Sequence, residues 1–277
     1  MPFIKHDGIR FYYEESGEGS PLVFCHGLTG SLEQPKELLG EFPGVRRVVW
    51  DARGHGRTEV GPPEAFNFRM FAKDLGALLD ELGIGEAVVG GISMGAAVSA
   101  RFAIDHPGRA RALVLVRPAW LDQGLPEGLR LYPIAAEYLG AHGAQEGREL
   151  FVALPEFRAL AEKEPDAAAS LLGQFTLEGA VERRHRLHGI PRDAPIHDWR
   201  EADLLQIPTL VIGNEPDYVH PWSYAAAWAE HLPCARLVKT PSRHREFPAH
   251  AESVRRNLAA FLDDIYPNQN TKELSCR

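Results

Sequence analysis

A chain of 277 residues, 44% of them hydrophobic, can form one large α/β domain or two small ones and bury about three quarters of its unfolded surface. Its 30 Lys and Arg against 38 Asp and Glu leave a net charge of −8, and no basic run is long enough to follow a phosphate backbone, which excludes nucleic acid as a partner. Cys25, Cys234 and Cys276 are far apart, and no histidine pair has metal-ligand spacing on a helix. The chain therefore reads as a protein of a reducing compartment with no disulfide framework, metal or cofactor.

Residues 1–7 turn polar too early for a signal peptide, and no apolar run approaches the roughly 18 residues of a membrane span, so a cytoplasmic protein without membrane contact is expected. Residues 9–15 alternate between glycine-containing turns and read as an antiparallel edge strand. Residues 21–25 form a short buried strand that runs into His26-Gly27-Leu28-Thr29-Gly30. The next strand, 45–50, ends in Asp51-Ala52-Arg53-Gly54-His55-Gly56-Arg57-Thr58. Phe68, Phe71, Ala72, Leu75, Leu78, Leu79 and Leu82 then mark one face of an amphipathic helix.

The period changes abruptly in the following segment. Ala87-Val88-Val89 is an apolar run stopped by Gly90-Gly91, whereas Ala96, Ala97, Ala100, Phe102, Ala103 and Ile104 follow helical spacing. Gly91-Ile92-Ser93-Met94-Gly95 thus lies at a strand-to-helix junction, the context that gives a G-x-S-x-G match its meaning. A serine on so tight a turn is pushed toward a strained backbone, flanking glycines let neighbouring backbone approach, and the helix start offers the Met94 N–H and a positive dipole end.

After a break at His106-Pro107-Gly108, residues 112–116 form another buried strand, emerging at Arg117-Pro118-Ala119-Trp120. From 121 to 200 strand-like runs vanish and prolines divide a segment rich in Ala, Glu, Leu and Arg into short helices, as expected of an inserted cap over the carboxyl ends of the strands. Its apolar positions, among them Leu131, Tyr132, Tyr138, Phe151 and Phe157, are expected mainly to pack the cap itself. A strand at 207–213, a helix at 225–232, a strand at 235–239 and a final helix to Leu262 follow. The polar stretch 266–277 is expected to be disordered.

The run GISMGAAVSARFAIDHP resembles the nucleophile elbow of the α/β-hydrolase family, and DARGHGRT is similar to a signature of the same family. The resemblance extends over residues 9–265. It implies an α/β-hydrolase fold, a mostly parallel sheet flanked by helices, with the core at 1–120 and 201–265 and a helical cap at 121–200. It implies Ser93 as nucleophile, with the backbone N–H groups of Leu28 and Met94 as oxyanion donors, and Asp51, Arg53 and His55 as scaffold. The acid is Asp217, four residues before Pro221, although its spacing from Gly213 leaves Glu215 as a rival. The base is His244 directly after the last strand, with His250 the alternative and His220 set aside because it follows the acid.

Nucleophile, acid and base in that chain order imply a serine hydrolase of small-molecule esters or lactones acting through an acyl-enzyme, without a cofactor. Hydrolysis of carbon–carbon bonds in vinylogous diketone acids, perhydrolase or haloperoxidase-like chemistry, and a non-enzymatic ligand receptor remain open on the same residues. Arg117 bears on the first of these, since a cation at the sheet's carboxyl edge could bind a substrate carboxylate; an ion pair to the cap is the competing explanation. Trp120 is expected at the pocket's edge.

Overall fold

The computed structural model describes residues 2–267. Eight strands form one sheet: β1 (Phe3–His6), β2 (Ile9–Ser16), β3 (Ser20–Cys25), β4 (Val45–Trp50), β5 (Ala87–Ile92), β6 (Ala110–Val116), β7 (Thr209–Asn214) and β8 (Ala235–Thr240). Their order is β1-β2-β4-β3-β5-β6-β7-β8. The β1–β2 and β2–β4 pairs are antiparallel and every other pair is parallel. The strand at 9–15 is therefore not the edge: β1, formed by the residues before Asp7-Gly8, covers it.

Side chains of the central strands alternate between two apolar layers, as a sheet covered on both faces requires. Leu22, Phe24, Val88 and Val114 meet α1 (Glu33–Leu39) and the last helix, and Val23, Cys25, Val89 and Leu113 meet α2 (Phe68–Glu81) and α3 (Met94–Asp105). Gly90 and Gly91, read from the sequence as the end of a strand, lie within β5. A Cβ at Gly90 would come 2.6 Å from the Phe24 ring and 2.8 Å from Val114 Cβ, so this glycine lets three central strands pack.

Between β6 and β7 the chain builds only helices: α4 (Leu131–Val152), α5 (Pro155–Lys163), α6 (Pro165–Gly173), α7 (Ala180–Arg183), α8 (His185–Arg192) and α9 (Arg200–Asp203), plus a short 3-10 turn. α4 is broken at Gly143, whose φ is 74°. Phe151 is buried against Phe157 and Phe175, with ring centroids 5.1 and 5.3 Å away, so these aromatics do pack the helical layer. α10 (Trp222–His231) and α11 (Phe247–Ile265) complete the fold around β7 and β8.

Two expectations change here. Tyr266 belongs to the packed structure, its hydroxyl donating to Pro21 O at 3.0 Å and accepting from Val88 N at 3.2 Å; residues 268–277 of the expected tail lie outside the described residues. Trp120 is 1% exposed, set edge-on against Phe68 with its carbonyl accepting from Trp228 Nε1. It packs the base of the helical layer and does not line the pocket. Among the described residues no helix is long and apolar enough to cross a membrane.

Candidate active site

Ser93 sits between the end of β5 and the start of α3 with φ 56° and ψ −108°, a left-handed conformation that costs a non-glycine residue on the order of 1–3 kcal/mol. The geometry is forced from both sides. A Cβ at Gly91 would lie 2.2 Å from the carbonyl carbon of Gly95, and one at Gly95 would lie 2.3 Å from Cys25 O. Both glycines are therefore required where the turn presses α3 onto β3. The Ser93 N–H donates to Val116 O at 2.9 Å, tying the turn to β6. The side chain opens into a cavity of about 730 Å³ that Leu28, Arg117, Asp217, His220 and His244 also line.

The loop after β3 brings Leu28 to that cavity. His26 Nδ1 lies 2.8 Å from Gly27 O and its Nε2 accepts from Ala52 N, so this buried ring is neutral and fixed in one tautomer. Gln34 Oε1 accepts from Gly27 N, and Gly30 N donates back to Gly27 O. The Leu28 carbonyl accepts from two buried donors, the His55 Nε2–H at 2.9 Å and Arg186 Nη1, from α8, at 2.7 Å. Burial, with the Arg186 charge added, holds His55 well below the usual imidazole range, so it is neutral. Among the described residues the N–H groups of Leu28 and Met94 donate to no protein group. The first N–H of a helix has no partner within it.

Asp51, Arg53 and His55 sit beside this loop. Asp51 accepts from Leu32 N at 2.7 Å and Arg57 N at 2.8 Å, and Arg53 is paired with Asp74, both side chains fully buried. They hold backbone and line no part of the cavity.

On the opposite side, Asp217 lies in the turn after β7 with its side chain fully buried. Its Oδ2 accepts from Arg117 Nε at 2.8 Å and Nη2 at 2.6 Å, with Asn214 Nδ2 at 3.4 Å. Its Oδ1 accepts from the His220 backbone N at 3.1 Å and lies 2.9 Å from His220 Nδ1. Burial alone would raise this carboxyl, but the contacts with His220, His244 and Arg117 overcome it and hold it well below the carboxylate range. Glu215, its rival, is exposed and pairs with Lys239.

His244 follows β8 and lines the cavity, with Nε2 3.8 Å from Asp217 Oδ1 and Nδ1 3.3 Å from Asp166 Oδ2 on α6. No hydrogen bond joins it to Ser93 among the described residues. The imidazole thus faces Asp217 with the nitrogen opposite to the one a triad base uses, and the helical layer holds the other. His220 is the ring that presents Nδ1 to Asp217. Burial, then the Arg117 charge, lowers it to about 4, so it is neutral near pH 7. His250 is buried on Thr240 Oγ1 and Pro241 O, lowered to about 4 by burial and by Arg117.

Arg117 does not pair with the helical layer, and it is not free to receive a substrate carboxylate through the fork it already gives to Asp217. Arg117 does line the cavity, but with Nε and Nη2 given to Asp217 it offers no free fork there. Asp166 and Arg186 were not found by sequence reasoning, and His220 was set aside because it follows the acid. No spacing rule marks Asp166 and Arg186, because each reaches the site through a contact made across the fold, whereas His220 meets Asp217 three residues away within one turn. Among the described residues no group of three or more His, Cys, Asp or Glu could hold a metal ion.

A family model described as alpha/beta hydrolase fold matches residues 20–245. A non-heme haloperoxidase of Rhodococcus erythropolis is 26% identical, covering 95% of this chain and all of its own. A thermophilic esterase from Thermogutta terrifontis, solved with malate bound, has a TM-score of 0.70 at 25% identity, covering 95% of this chain and 97% of its own. The enol-lactonase from Burkholderia xenovorans LB400 has a TM-score of 0.74 at 21% identity, with 94% and 99% covered, a likeness of fold alone.

Proposed function

Since this chain belongs to the alpha/beta hydrolase fold family, whose enzymes include hydrolases of small molecules, we propose that it is a serine hydrolase of carboxylic esters or lactones, with Ser93, Asp217 and His244 as the catalytic residues. The observation that carries the reading is the elbow: a strained serine opening on a cavity, beside two backbone N–H groups with no protein partner. Fold alone would not supply a reaction, so the argument rests on this site.

In the proposed mechanism His244 leaves Asp166 and turns its Nδ1–H toward Asp217, which fixes the tautomer and stabilises the imidazolium. Nε2 then takes the Ser93 proton as Oγ attacks the substrate carbonyl, and the tetrahedral oxyanion is held by the N–H groups of Leu28 and Met94. His244 returns the proton to the leaving alkoxide, giving an acyl-enzyme and an alcohol. Water, deprotonated by the same imidazole, releases the acid and restores Ser93. For a lactone the leaving alkoxide stays tethered, and the product is one hydroxy acid.

The helical segment 121–200 is the proposed cap and decides which acyl and alcohol groups fit, since Leu129, Tyr132 and Ala169 line the cavity from it. The similarity to a protein named as a haloperoxidase supports one further substrate for the same acyl-enzyme, hydrogen peroxide in place of water. A burst of p-nitrophenol from a short-chain nitrophenyl ester, with sustained turnover that Ser93→Ala abolishes, is the expected result. Ligand binding without any burst would support a receptor instead.

A further inference from the structure

Hydrolysis by a serine, a histidine and a carboxylate needs no buried cation beside the carboxylate, yet this site contains one. Arg117 directly follows β6 with φ 51°, a conformation disfavoured for any side chain, and its N–H donates to Ile212 O of β7 at 2.7 Å. The chain is thus bent so that an arginine leaving one strand is pinned to the neighbouring strand that carries the acid. Its side chain is 6% exposed, and both Nε and Nη2 converge on a single oxygen of Asp217.

Building on the hydrolase reading, we propose that Arg117 is a positioning residue that acts through Asp217, locking the rotamer of the acid and balancing its charge at the imidazole of His244. The distances make the balance. In the orientation seen, before the ring turns, His244 Nε2 is 3.8 Å from Asp217 Oδ1 and 3.5 Å from Arg117 Nη2; because Arg117 is bonded to Asp217 itself, the cation stays beside the acid when Nδ1 takes the place of Nε2. A lone buried carboxylate there would favour the imidazolium and leave the base protonated over more of the pH range. Paired with Arg117, the carboxylate still accepts and orients Nδ1–H while its attraction for a proton on the ring is largely offset.

The other charged and titratable groups around His244 do not replace this arrangement. His220, from the Asp217 turn, is neutral near pH 7. Asp166, from α6, faces Nδ1 at 3.3 Å but is 66% exposed, and water screens it. Glu164, from the turn before α6, and buried His250, bonded to Thr240 Oγ1, line the same cavity, and Arg243 and Arg245 flank the histidine on its own loop. Arg117 is the cation among these that is bonded to the acid itself.

The test is the pH dependence of kcat/KM for a nitrophenyl ester in the wild type, Arg117→Lys, Arg117→Met and Arg117→Gln, with Ser93→Ala as control. Removing the charge in Arg117→Met should move the midpoint of the acid limb upward by about one pH unit, a tenfold loss of kcat/KM below it. Arg117→Lys keeps a cation and should hold the midpoint near the wild type while kcat falls, since a point charge cannot lock the carboxylate with a fork. Arg117→Gln keeps amide donors without charge, and should shift as Arg117→Met does; it serves where the Met variant does not accumulate. An unmoved midpoint in the uncharged variants, with activity reduced equally at every pH, overturns the proposal and leaves the hydrolase reading standing. Turnover that persists in Ser93→Ala overturns both, because no Ser93-directed base then exists for Arg117 to adjust.

Discussion

The two sides of the cavity are held in place by different physics. Around Ser93 the constraint is backbone against backbone: β3, β5 and α3 approach so closely that a single added carbon at Gly91 or Gly95 has no room. Around Asp217 and His244 the constraint is ion pairing and hydrogen bonding, with Arg117 and Asp166 drawn from distant parts of the chain and neutral His220 from the Asp217 turn itself. The supporting strands differ as well, since β5 is buried throughout whereas β8, which delivers His244, is largely open to solvent. Backbone packing thus fixes the Ser93 side, and ion pairs with hydrogen bonds fix the side of Asp217 and His244.

The sharpest way to break this comparison is to remove the attacking group. Ser93→Ala should lower kcat on the order of 10⁶-fold with the thermal midpoint unchanged or raised, because the strained serine leaves no buried partner unsatisfied. Asp217→Asn should cost about 10⁴-fold through the wrong imidazole tautomer. It should also cost stability, about 3–5 kcal/mol by urea unfolding, since it leaves Arg117 buried without its counter-charge. Glu215→Gln, by contrast, removes an exposed pair and should change stability by less than about 1 kcal/mol and activity hardly at all. A larger effect at Glu215 than at Asp217 would reverse the assignment of the acid.

The steric side predicts a different signature. Gly95→Ala places a methyl carbon 2.3 Å from Cys25 O, so unfolding measurements should show a loss of about 3 kcal/mol or failure to fold. No salt or pH change should relieve it.

How legible each side was follows from this division. The elbow could be read because its requirement is the absence of side chains at fixed offsets, which a local pattern records as G-x-S-x-G. The loop after β3 and the segments carrying Ser93, Asp217 and His244 were legible for the same reason, as runs with local turn chemistry, and the fold brings all of them to one cavity. Even there the sequence misplaced the reason for Gly90, which opens space between strands instead of ending one. The charge side was legible only in part. Arg117 was singled out by its place at the strand's end, but its partner proved to be Asp217, a hundred residues away, and nothing local could point to it. His220 was set aside for following the acid, yet a three-residue offset in a tight turn is what lets its ring and its N–H reach one carboxylate oxygen. Trp120 was misread because an aromatic at a strand exit can turn inward when Phe68 and Trp228 offer it a pocket.

Acid should loosen the charge side first. His220 and His250 stay neutral in the fold down to about 4, while an unfolded histidine takes its proton near 6.5, so the unfolded chain binds more protons between these values. Stability should therefore be complete above about pH 6.5 and fall as pH drops toward 4, on the order of 1–3 kcal/mol for each ring. Asp217, whose pKa is depressed, contributes stability above the unfolded carboxylate value near 3.9 that is lost only in stronger acid. Urea midpoints at pH 7.5, 5.5 and 4.5 measure this, and His250→Gln should flatten the curve. The smallest expected effect is at the outer contact: Asp166→Asn frees His244 from a screened partner and should raise kcat/KM by no more than about threefold.

The central claim is that Ser93 is an activated nucleophile, and covalent titration addresses it most directly. Incubation with a fluorophosphonate followed by peptide mass spectrometry should give one adduct per chain, on the peptide containing Ser93, in step with loss of ester turnover. The adduct should vanish in Ser93→Ala and form slowly in Asp217→Asn. An enzyme that turns over esters while Ser93 stays unmodified, or an adduct on any other residue, would contradict the account.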